Sequence, residues 1–246
     1  MPYRRLPTTD KARLRALDAA LDNASSRDAG KLAFSKNTLL ELKNIKSTFG
    51  NHLKHHELDL KIESEKNFGY KLALEKARLY VTHFIHVLFM NIEREELKEE
   101  VLPLYGLHEF GKKIPSLNTE QEILEWGKQI IQGEQKRMQK GGSPIYNPSI
   151  ALVKVRVEDF HEAAVFQQNL KRNTFRSYEK MQQLRKDTNE FISRMWTEIE
   201  ENMGNLPPRH KRQRAQEYGV VYVFRRNEKK KLKNEGLQVD LLFDFN

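Results

Sequence analysis

The stretch Arg78-Leu-Tyr-Val-Thr-His-Phe-Ile-His-Val-Leu-Phe-Met-Asn-Ile-Glu93 decides the fold, because a version of it returns as Arg185-Lys-Asp-Thr-Asn-Glu-Phe-Ile-Ser-Arg-Met-Trp-Thr-Glu-Ile-Glu200. At a constant offset of 107, Arg78, Phe84, Ile85, Ile92 and Glu93 match Arg185, Phe191, Ile192, Ile199 and Glu200. Leu88 meets Met195 and Phe89 meets Trp196, both swaps between large apolar side chains. In the first copy Ala77, Val81, Phe84, Ile85, Leu88 and Ile92 recur at helical spacing; Leu184, Thr188, Phe191, Ile192, Met195 and Ile199 repeat it. A period of 3.6 residues makes each set one stripe, the face a helix buries. Each copy then reaches a Tyr-Gly pair followed by an apolar residue, Tyr105-Gly106-Leu107 and Tyr218-Gly219-Val220. The second copy is six residues longer there, about the size of Pro207–Arg212.

Working outward, Thr9-Asp10 reads as the cap of a short helix carrying Leu14, Leu17 and Leu21. A long helix follows from about Asn37 to Ser64, Asn67-Phe68-Gly69 reads as a turn, and a second long helix covers about Tyr70 to Val101. Pro103, Gly106, Gly111 and Pro115 mark a loop. Asn118-Thr119 caps a helix through Ile123, Trp126, Ile130 and Ile131, ended by the linker Gly141-Gly142-Ser143-Pro144. Asn147-Pro148-Ser149 starts a helix with the stripe Val153, Val157, Phe160 and Ala164; Asn173-Thr174 reads as the turn into the last long helix, which stops near Gly204. Pro207-Pro208 opens a short basic helix to Tyr218.

Two helical hairpins, each too narrow to bury its stripe alone, predict a mainly α protein, an antiparallel four-helix bundle from duplicated hairpins. The segments expected are an arm and short helix (1–32), a first repeat with its connecting helix (33–142), a second repeat (143–218) and a β tail (219–246), the repeats packing as one domain. In the tail, Gly219–Phe224 and the alternating Leu237, Val239, Leu241, Phe243 and Phe245 read as two strands of a small hairpin. A lone ribbon is marginal in water, so a homodimer joined through this tail is one expectation.

The 246 residues carry 43 Lys and Arg against 34 Asp and Glu, a net charge of +9. Between Asn205 and Glu235 stand ten basic and three acidic residues, so most of the excess lies in that one element. Arg209, Lys211, Arg212, Arg214, Arg225, Arg226, Lys229, Lys230 and Lys231 are therefore the candidate polyanion-binding residues, with nucleic acid or an acidic protein as partner. Tyr218, Tyr222 and Phe224 lie nearby for stacking, though they are more simply read as strand residues packing on the bundle.

Catalytic signatures are absent. There is no cysteine, which excludes disulfides and thiolate chemistry, and no Gly-x-Gly-x-x-Gly, P-loop, Gly-x-Ser-x-Gly or His-Glu-x-x-His. The expectation is a non-enzyme without metal or cofactor. The alternative is a metal ion or small ligand held between helices by His83, His86, Glu158 and His161, since Glu-x-x-His is the spacing of di-iron bundles. Such a site needs that motif twice, and it occurs once. Otherwise His52, His55 and His56 sit at the surface and His83, His86 and His161 pack beside the core. The acidic run Glu93–Glu100 reads as a solvated helix face. The longest apolar stretch, Leu79–Met90, is too short to span a bilayer. With no signal-peptide pattern at the start, a cytoplasmic location without membrane partners is expected.

The opening Met1-Pro-Tyr-Arg-Arg-Leu-Pro-Thr-Thr-Asp10 and the segment Glu217-Tyr-Gly-Val-Val-Tyr-Val-Phe-Arg-Arg226 resemble a group of uncharacterised helical proteins of Bacteroidota. The resemblance implies a bacterial protein and supplies no activity, cofactor or site.

Overall fold

A computed structural model describes residues 2–25, 32–111 and 113–225. The chain runs β1 (Tyr3–Arg4), α1 (Asp10–Ser25), α2 (Lys36–Glu93), a 3-10 segment (Glu99–Tyr105), α3 (Glu120–Gln139), α4 (Ile150–Asn202), α5 (Pro208–Glu217) and β2 (Tyr222–Val223). Among the described residues it is mainly helical, with one two-stranded antiparallel sheet.

The four long helices expected from the sequence are two. α2 runs unbroken through Asn67-Phe68-Gly69 for 58 residues, and α4 runs through Asn173-Thr174 for 53. The hairpin turns are therefore corrected to helix. A glycine inside a helix costs about 1 kcal/mol against alanine, and Asn or Thr costs less, whereas stopping and renucleating a helix forfeits several hydrogen bonds. Neither helix contains proline to force the break. α2 also stops sooner than expected, at Glu93. Glu95 takes a left-handed conformation (φ 61°), and the Glu96 amide donates back to the Asn91 carbonyl at 2.9 Å.

The described residues fall into two compact units. Unit 1 is drawn from Met1–Leu58 and Phe175–Asn246, unit 2 from Asp59–Thr174, so each boundary falls inside a long helix. In unit 1 the first part of α2 lies antiparallel to the last part of α4. Thr38 donates to Glu198 at 2.6 Å, Glu41 pairs with Arg194, and His56 meets Ser177 at 2.9 Å. Leu17, Ala20, Phe34, Leu42, Phe191, Ile192, Met195, Trp196, Ile199, Tyr218 and Val220 share its core. In unit 2 the last part of α2 and the first part of α4 pack with α3 and the 3-10 segment around Ala77, Val81, Phe84, Ile85, Leu88, Tyr105, Ile123, Ile130, Val153 and Phe160.

The stripes expected from the two similar stretches are buried. Val81, Phe84, Ile85, Leu88, Phe89 and Ile92 are interior in unit 2, and Thr188, Phe191, Ile192, Met195, Trp196 and Ile199 are interior in unit 1. Leu184, at the position of Ala77, is half-buried.

The Gly219–Phe224 strand is present over Tyr222–Val223, but among the described residues its partner is the N-terminal pair, Tyr3 opposite Val223 and Arg4 opposite Tyr222. The expected partner strand at Leu237–Phe245 lies outside the described residues. Arg5 extends the ladder, its amide donating to the Val221 carbonyl at 2.9 Å.

Candidate functional site

The basic element begins at α5, whose first helical residue is Pro208, a position where the missing amide proton costs nothing. Only Ala215 of this helix is buried, so its charged residues project outward. Arg209 and Arg214 are exposed, while Lys211 and Arg212 are half-buried. Leu206, Pro207, His210, Gln213, Arg214 and Glu217 line a shallow, open depression of about 410 Å³. After α5 the chain turns at Tyr218-Gly219. Gly219 has φ +83°, and a Cβ there would stand 3.0 Å from the Ala16 carbonyl oxygen and 3.1 Å from Ala19 Cβ of α1. This close approach sets β2, and with it Arg225, beside α1. Arg225 is exposed. Arg226, Lys229, Lys230 and Lys231 lie outside the described residues.

The sheet brings in basic residues that sequence reasoning did not assign to the surface. Arg4 donates to Thr197 Oγ1 at 3.0 Å and lies 3.6 Å from Glu200, and Arg5 beside it is exposed. Tyr222 donates its hydroxyl proton to Glu200. Burial, and then that carboxylate, raise the Tyr222 phenol well above its ordinary value, while Arg4 and Arg212 pull the other way. Glu200 thus meets both Arg4 and the Tyr222 hydroxyl. The run Tyr3-Arg4-Arg5 carried the signal, a short extended segment of the right register, but nothing in it named its partner strand.

Two further charged clusters are structural. In unit 1 the Asp10 carboxylate takes Arg185 in a two-pronged pair at 2.9 and 2.8 Å, and Arg13 at 3.0 Å. Arg13 also donates to Asn189 Oδ1 at 3.0 Å and to the Thr8 carbonyl at 3.2 Å. In unit 2 the fully buried Glu134 is gripped by Arg137 at 2.8 and 2.9 Å, accepts from the Tyr105 hydroxyl, and accepts the Ile145 amide at 3.0 Å. Arg137 continues to Tyr105 Oη at 2.9 Å and the Ser143 carbonyl at 2.5 Å. With both Glu134 oxygens committed, the group is held for support rather than for proton transfer.

The hydrogen bond from Arg185 holds Asp10 below the usual carboxylate range, its charge and that of Arg13 adding to it against the opposing effect of burial. Burial alone would raise Glu134, but the bonds from Arg137, Tyr105 and Ile145 outweigh it and lower its pKa. The folded chain therefore keeps both ionised where the unfolded chain takes up protons. Their stabilisation is complete above the unfolded value of about 4 and is lost as pH falls through and below it. Urea midpoints measured between pH 7 and pH 3 should decline, and less steeply in Asp10→Asn and Glu134→Gln.

The residues of the metal alternative do not meet. His83, His86, Glu158 and His161 are all exposed, and Glu158 pairs with Lys154 at 3.7 Å. Among the described residues no group of three or more His, Asp or Glu is placed to hold a metal ion. His83, His86 and His161 thus lie clear of the core rather than packed beside it. His56 departs from expectation in the other direction: it is buried, with Nδ1 2.9 Å from Ser177 Oγ and its ring tilted over Tyr178. Its helical position, one turn from Leu53, put it on the inner face.

No family model, curated protein or solved structure matches the chain. Among the described residues no helix is long and apolar enough to cross a membrane.

Proposed function

We propose that the protein is a non-enzymatic helical protein that binds polyanions, nucleic acid first among them, through the basic surface of unit 1. The observation that carries this reading is the outward projection of Arg209 and Arg214 from a helix with one buried residue. Arg5 and Arg225, at the sheet of the same unit, are exposed as well. Cations arranged this way recognise a phosphate backbone rather than bases, so binding is sequence-tolerant and weakened by salt. Lys211 and Arg212 are half-buried, and the Arg212 charge also acts on the Tyr222 hydroxyl.

The scaffold under this surface is read as an internally duplicated helical one, supported by the matched residues at offset 107 and their burial. A cytoplasmic, bacterial setting belongs to the same proposal.

Titration of fluorescent single- and double-stranded oligonucleotides and of heparin at several salt concentrations tests it. The logarithm of affinity should fall linearly with that of salt, each phosphate contact adding about 0.9 to the slope on duplex DNA. Arg209→Glu with Arg214→Glu should lower the slope by about two and weaken binding to every sequence alike. Absence of binding at low salt would remove the polyanion reading.

A further inference from the structure

The duplication reaches beyond the stretch that revealed it. α1 begins after Thr9, whose hydroxyl accepts from the Ala12 amide at 3.2 Å; α3 begins after Thr119, whose hydroxyl accepts from the Glu122 amide at 3.2 Å. α2 begins after Ser35, which caps the Thr38 amide at 3.2 Å and follows the buried Phe34; α4 begins after Ser149, which meets the Leu152 amide at 3.4 Å and follows the buried Pro148. Both long helices carry the buried stripe near their C-terminal ends.

The closing turns agree bond for bond. The Gly106 amide donates to the Pro103 carbonyl at 3.2 Å and the Leu107 amide to Leu102 at 3.1 Å; the Gly219 amide donates to Gln216 at 2.9 Å and the Val220 amide to Ala215 at 3.2 Å. Each is a Schellman-type closure, three and five residues back, with glycine in the left-handed region. Tyr105 and Tyr218 before the glycines are both fully buried. Residues 9–107 and 119–220 thus follow one plan: a Thr-capped short helix, a Ser-capped long helix and a Tyr-Gly turn.

The partners cross between the copies. Gly219 of the second copy lies on Ala16 and Ala19 of α1, which belongs to the first. Gly106 of the first lies on Gln129 of α3, which belongs to the second, and Gln129 stands as far beyond Thr119 as Ala19 beyond Thr9. Arg185 of the second copy grips Asp10 at the start of α1; Arg78, its match in the first, donates to the Asn118 carbonyl at the start of α3 at 3.4 Å.

We infer that the chain is two fused copies of one module that exchange their short helices, so that the Tyr-Gly turn following each long helix is a docking surface for the short helix of the other copy. The inference rests on the duplication and goes beyond it: neither unit can be completed by one copy alone. A symmetric dimer joined into one chain has this arrangement, since each subunit offers the same patch and receives the same element.

A protease site inserted after Gly111 in the full chain, cut in the folded state, tests the exchange. The two fragments should co-elute one to one and part only in denaturant, and the melting midpoint should become dependent on concentration. Folded fragments that elute separately would overturn the exchange. Hydrogen exchange on the uncut chain tests the equivalence behind it. Gly219→Ala should speed exchange in α1, and Gly106→Ala in α3, because each glycine has a left-handed backbone. The added methyl meets Ala16 and Ala19 of α1 in the one case and the Gln129 side chain of α3 in the other. The effect should be about tenfold or more for Gly219→Ala and smaller for Gly106→Ala, where the Gln129 side chain can swing aside. If only one of the two loosens its docked helix while the fragments stay together, the duplication fails rather than the joining of the halves.

Discussion

Replacing Glu134 by alanine is expected to lower the unfolding free energy by about 3–5 kcal/mol, the cost of leaving a buried charge without its partner. The size follows from the surroundings. Glu134 is fully buried and Arg137 is only 5% exposed, so water cannot solvate the guanidinium once the carboxylate is gone. The Tyr105 hydroxyl and the Ile145 amide would lose their acceptor as well. Tyr105→Phe removes one hydroxyl and should cost less, about 1–2 kcal/mol. The double variant Glu134→Leu with Arg137→Met removes both charges, and much of the loss should return. Urea denaturation of the four proteins checks this. A Glu134→Ala cost under about 1 kcal/mol would mean that solvent reaches the cluster.

Trp196→Ala should cost about as much, 3–5 kcal/mol, through the cavity left in unit 1. Trp196 is 1% exposed and lies among Phe191, Ile192, Met195 and Ile199. Trp196→Phe should be far milder, at most about 1.5 kcal/mol, for two reasons. The indole N–H is buried with no hydrogen-bond partner among the described residues, so its loss removes a desolvated donor. The position 107 residues earlier, in the similar stretch, already holds phenylalanine, Phe89, which is buried at 5% exposure. Thermal and urea unfolding of the two variants measure the difference. If the conservative change costs as much as the truncation, the two positions are not equivalent environments.

What the sequence revealed followed from local chemistry. Thr9 and Thr119 cap their helices where expected, because a hydroxyl before an apolar-periodic run has few other uses. The stripe from Val81 to Ile92 is buried for the same reason that it was visible: its period matches a helix. Gly69 and Asn173 carry local turn propensity, but the helical residues on either side override it. A Cβ added at Gly69 would meet nothing within 4 Å, so this glycine serves no close contact. The partner of β2 was hidden too, since strand pairing depends on residues more than two hundred positions apart. Among the site residues, Arg209 and Arg214 stand outward as their density suggested. Arg4 is placed by a sheet that no pattern in the sequence announced, and among the described residues the histidines join no group of three or more metal-ligating side chains.

The pairing of Tyr3 with Val223 and Arg4 with Tyr222 has a mechanical consequence. The two strands are antiparallel and so short that the chain leaves the ladder from one and the same end on both sides. A pull applied to residues 2 and 225 would open the bonds one after another, like a zipper, instead of straining them all at once. Under tension this clasp should give way at low force, well before the helices begin to unravel.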